Sequence, residues 1–98
     1  MNYNYITDYE SVIASQSAQV LGPTGAVGDI LENLIVTVAT AATGTVSIQD
    51  GSNTAIVITA ANTPIGVYSV NLGARSVAGA WKVTTGAGAS VIAVGKFS

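Results

Sequence analysis

The sequence predicts an all-β domain, a sandwich or barrel of seven or eight short strands. Three observations carry that expectation. Apolar and polar residues alternate with a period of two in six segments between residues 34 and 97. Turn signals separate those segments at intervals of about 10–12 residues, the spacing of sandwich and barrel strands. No apolar stripe with a period of 3.6 residues reaches helical length.

Residues 1–19 form the first element, an extended N-terminal arm and linker, ahead of a sandwich domain over residues 20–98. Asn2 to Glu10 carries three of the four tyrosines and two of the five acids, without a sustained inward pattern. Tyr3, Tyr5 and Tyr9 lie outside any evident core. Tyrosine is enriched at interfaces, so these three are candidate interface anchors; packing of the arm on its own domain is the alternative. A further strand is expected near Ser11–Leu21. Gly22-Pro23-Thr24-Gly25-Ala26-Val27-Gly28 has glycine at every third position, but three repeats cannot build a triple helix. It lacks the Lys-Ser or Lys-Thr of a phosphate loop, so a plain loop is expected. A short helical turn near Asp29 fits within Val27–Leu34.

Strands follow. Leu34, Val36 and Val38 alternate with Ile35, Thr37 and Ala39, and Val46 and Ile48 alternate with Thr45, Ser47 and Gln49. Asp50-Gly51 is a hairpin signal, because this pair tolerates the positive φ of a tight turn. Ile56 and Ile58 continue the pattern until Asn62-Thr63-Pro64 stops it, proline having no N–H for a ladder. Tyr68, Val70 and Leu72 make the next strand, then Trp81 and Val83. Gly86-Ala87-Gly88 turns the chain into a last strand with Val91, Ala93, Gly95 and Phe97 on one side. The expected core is Leu34, Val36, Val38, Val46, Ile48, Ile56, Ile58, Tyr68, Val70, Leu72, Trp81 and Val83.

Composition constrains function. Only 8% of the 98 residues are charged, while 49% are hydrophobic, and the net charge is −2. Soluble domains average about a quarter charged residues, and surface charge keeps monomers dispersed. A chain with three cations and five anions suits permanent packing against copies of itself or another protein. There is no basic footprint for nucleic acid. No apolar run nears the roughly 18 residues of a membrane span, and residues 1–10 lack a cationic segment followed by an apolar run, so neither a signal peptide nor a membrane partner is expected.

The residue types needed for catalysis are scarce. The chain has no His and no Cys, which removes the commonest general base, thiol nucleophiles and the usual zinc ligands. Asp29 and Glu32, and Asp8 and Glu10, are close in sequence, but a domain this small offers little room for a two-carboxylate cleft. Too few oxygen ligands surround Asp29 and Glu32 for strong calcium binding. The chain is therefore expected not to be an enzyme, with no cofactor and no metal. Trp81 falls in register with Val83 and is expected in the core; exposed, it would stack on a sugar. Arg75, the only arginine, is a further interface candidate, with pairing across an interface and simple solvation both open.

Gly-Asp-Ile-Leu-Glu-Asn-Leu at 28–34, Val-Ser-Ile-Gln-Asp-Gly at 46–51 and Gly-Ala-Trp-Lys-Val-Thr-Thr-Gly-Ala-Gly-Ala-Ser-Val at 79–91 resemble small structural proteins of tailed-phage virions. The resemblance covers Gly25 to Ser98. It implies a jelly-roll or related β-sandwich acting as a capsid cement (decoration) protein, a homotrimer on the capsid surface, assembled in the host cytoplasm. Its partners would be copies of itself and the major capsid protein, with the arm reaching one of them. The second reading is a head-fibre or tail-associated module that binds host-surface glycan, suggested by the Gly-Pro-Thr-Gly linker and Trp81.

Overall fold

The computed structural model describes residues 8–98, and every described element is β. Eight strands form: β1 (Asp8–Val12), β2 (Gln19–Val20), β3 (Ile30–Val38), β4 (Val46–Asp50), β5 (Ile56–Thr59), β6 (Gly66–Arg75), β7 (Trp81–Thr84) and β8 (Ala89–Lys96). They build two four-stranded antiparallel sheets, in the orders β1-β8-β3-β6 and β2-β7-β4-β5. The protein is a β-sandwich. Its strands pair first with last: β1 with β8, β2 with β7, β3 with β6 and β4 with β5.

The period-two pattern explains the layers. Successive side chains in a strand point to opposite faces. In β8, Ala89, Val91, Ala93 and Gly95 are buried, while Ser90, Ile92, Val94 and Lys96 point out. β3 does the same with Leu34, Val36 and Val38 inward. A register shift between Leu31 and Asn33 lets Leu31 also face the core. Trp81, Val83, Val46 and Ile48 meet them from the second sheet. Trp81 is 4% exposed, and its indole N–H donates to the Asp29 carbonyl at 3.0 Å. A buried indole therefore keeps a partner for its polar atom.

Two expectations are corrected. Residues 8–12, assigned to the arm, are strand β1: each pairs with β8, and Val12 is fully buried. Glu10 and Val12 fill inward positions, and two inward residues are too few to announce a strand in sequence. The short helical turn near Asp29 is instead a turn at Val27–Gly28 leading directly into β3. There the Asp29 carboxylate accepts from the N–H of Ala26 and of Ser98 and from the Ser98 hydroxyl, at 3.0, 3.1 and 2.7 Å. Asp29 thus closes the loop and ties down the end of β8.

The hairpin at Asp50-Gly51 is present. Gly51 has φ +58°, and a side chain there would strike the Ala78 backbone. The Asp50 carboxylate accepts from the N–H groups of Val77 and Ala78 at 2.9 and 3.1 Å, clasping the β6–β7 loop. The Val77 N–H, with those of Ala78 and Gly79, holds this carboxyl below its ordinary pKa despite some desolvation.

The candidate interaction surface

Seven of the twelve expected core residues are fully enclosed. Ile58, Tyr68, Val70 and Leu72 pack against the core only in part, and Ile56 is 49% exposed. All five lie on β5 or in the middle of β6, the edge strands of the two sheets on one flank of the sandwich. Core-facing residues therefore reach solvent on that side. The reason is length: β6 has ten residues, whereas β5, which should cover it, has four.

The opposite flank, between edge strands β1 and β2, is closed. Val12 and Leu21 are fully buried there. The Glu10 carboxylate accepts from Gln19 Nε2 at 2.8 Å and from the Gly22 N–H at 2.7 Å, while Gln19 Nε2 also reaches the Ser11 carbonyl at 3.4 Å. Charge-assisted hydrogen bonds of this kind are the stronger ones. Thr85 adds a third strut, its hydroxyl donating to the Ile13 carbonyl at 2.6 Å and accepting from the Gln16 N–H at 2.9 Å. Among the described residues no side-chain hydrogen bond links β5 to β6.

The anticipated interface residues do not converge. Tyr3 and Tyr5 lie outside the described residues. Tyr9 is on β1, 72% exposed, beside Ile92 and Val94 on the outer face of the first sheet. Arg75 ends β6 at the far edge of that sheet, exposed and without an ion pair among the described residues. Two intervening strands separate them. The outer face itself is mixed: the cross-strand row Tyr9, Val94, Asn33 and Asn71 is followed by Ser11, Ile92, Ile35 and Ser69. Asn33 Oδ1 lies buried in it without a hydrogen-bond partner.

Sequence reasoning did not single out the β6 edge. Its signal was present: Gly66 to Ala74 holds no charge, alternates strictly and ends in a lone arginine. Edge strands ordinarily carry charge, proline or a bulge to discourage pairing; the one irregularity of β6 lies near its end, where Gly73 has φ +64° beside the register shift, and Gly66 to Asn71 pair with β3 in unbroken register. No group of three or more potential metal-ligating side chains occurs among the described residues, and the Asp29 oxygens are engaged in the hydrogen bonds above. No family model, curated protein or solved structure matches this chain.

Proposed function

We propose that this chain is a structural assembly subunit of the type that decorates and stabilises a phage capsid, working through contacts with its own copies and with the major capsid protein. The open β5–β6 flank carries the self-association half of this reading. A flank whose core residues reach water is completed by a second protein surface, and burying apolar area contributes about 25 cal/mol per Å². The resemblance at 28–34, 46–51 and 79–91 carries the virion half, including the trimer and the capsid surface.

The fold we propose is a jelly roll. Support comes from the pairing of first with last strand, as when a long hairpin folds over on itself, and from eight strands in two four-stranded sheets. That architecture serves both capsid and lectin domains, so the glycan-binding reading must be weighed on its residues. It depended on Trp81 as a stacking platform, and Trp81 is buried.

Sedimentation of the full chain at micromolar concentration is expected to show a closed oligomer. Particles lacking the protein are expected to take it up in a fixed stoichiometry. A monomer that binds no particle, or selective retention on a glycan array, would replace this reading.

A further inference from the structure

We propose that the free edge of β6 is an acceptor for the first seven residues of a neighbouring copy, which add to the first sheet as a fifth strand. This rests on the self-association reading above and specifies its contact.

β6 is the longest strand and ends the sheet order β1-β8-β3-β6. Among the described residues its only strand partner is β3, and no turn or loop main-chain bond falls on residues 66–75. An edge of this length, uncharged from Gly66 to Ala74, invites strand addition, in which main-chain hydrogen bonds supply affinity and alternate side chains supply selectivity.

The first seven residues match its two rows. Extended, they place Tyr3, Tyr5 and Thr7 on one side and Asn2, Asn4 and Ile6 on the other. β6 offers a half-buried apolar row of Tyr68, Val70 and Leu72 and a mainly polar exposed row including Ser69 and Asn71. Two tyrosines over the first row would cover the open flank with rigid apolar rings. The asparagines would then lie beside Ser69 and Asn71. No side chain of residues 1–7 or of Gly66 to Ala74 is charged, so pairing along that stretch desolvates no charged side chain.

Geometry selects another copy as the donor. The segment leaves the sheet at Asp8, on the opposite edge from β6. Reaching a fifth-strand position beyond β6 crosses four strand spacings, about 19 Å of the roughly 23 Å that seven extended residues span. About one residue would remain to pair with the chain's own β6. A neighbour's segment has no such limit. A donor at one edge and an acceptor at the other is a head-to-tail contact, which forms a ring such as a trimer when the rotation between copies closes and a filament when it does not.

Three proteins test this: the full chain, a chain lacking residues 1–7, and Val70→Lys, which places a charge in the acceptor row. Leu72→Lys serves instead if Val70→Lys loses its near-ultraviolet dichroism. Sedimentation and amide hydrogen exchange are measured on each. The full chain should associate with its β6 edge amides protected. Each variant alone should be monomeric, with that protection lost in the truncated one. Mixed, they should form a one-to-one pair, because one still accepts and the other still donates. A truncated chain that associates like the full chain overturns this inference and leaves self-association through another surface. A full chain that stays monomeric overturns the self-association reading as well.

Discussion

The first sheet ends differently on its two sides. On one side β1 has five residues, carries Asp8 and Glu10, and is strapped to β2 through Glu10, Gln19 and Gly22. On the other, β6 has ten residues, carries only Arg75 at its end, and faces a four-residue β5. Both edges present unpaired main-chain groups, yet only one is short, charged and tied down. The contrast separates folding from association. The β1 side uses its polar residues within the chain, while the β6 side leaves apolar side chains partly open to solvent, the surface that the proposed self-association would cover.

The largest effect should come from the closed core. Trp81→Ala removes a buried indole and one of the two donors to the Asp29 carbonyl, the Ser76 N–H remaining at 2.8 Å, and is expected to cost about 3–5 kcal/mol. Urea unfolding would measure it; a loss below about 1 kcal/mol would mean that the tryptophan is not packed as described.

Two leucines sharpen the comparison next. Leu34→Ala, in the enclosed middle of the first sheet, should cost about 2–5 kcal/mol. Leu72→Ala, on the half-open flank, should cost well under that in a dilute monomer, and its cost should grow with protein concentration as association covers the site. Equal, concentration-independent losses would erase the distinction between the flanks.

Removing the strap is a smaller perturbation. Glu10→Ala leaves the Gly22 N–H without its acceptor and Gln19 Nε2 with only the Ser11 carbonyl at 3.4 Å, and should destabilise by about 1–3 kcal/mol. Val67→Ala, exposed on the β6 side, should stay within about 0.5 kcal/mol. Denaturation midpoints of the two, measured side by side, check that ordering.

The weakest effect concerns pH. The Asp50 carboxyl is held below its ordinary value in the folded chain, first by the Val77 N–H. A depressed folded-state pKa contributes stability that is present above about 3.8 and drains as pH falls through the lowered value. Asp50→Asn should therefore flatten the stability profile in that acid range and leave its shape near neutrality unchanged. An identical acid slope in both proteins would remove Asp50 from the account.

Six segments of strict alternation were enough to anticipate an all-β chain and most of its core. Leu31 was hidden because a register shift brings it inward one residue off the period of Leu34, Val36 and Val38. Val12 and Leu21 were hidden because β1 and β2 are short. Buried Ala89 was hidden because a small residue gives a weak apolar signal. Of the candidate interaction surface, only Tyr9, which lies outside the core, was legible in the sequence.

The residue pattern alone therefore determined most of the strands from Leu34 onward and most of their inward faces, the Asp50-Gly51 turn and the shortage of charge, since each depends only on near neighbours in the chain. Tertiary structure decided which strands meet. It placed β6 at an edge opposite β1, and it left Tyr68, Val70 and Leu72 half covered while Leu34 and Val36 are enclosed. Nothing in the local alternation distinguishes those two sets. The burial of an inward-facing side chain is set by the strand that lies across from it, and that strand comes from elsewhere in the sequence.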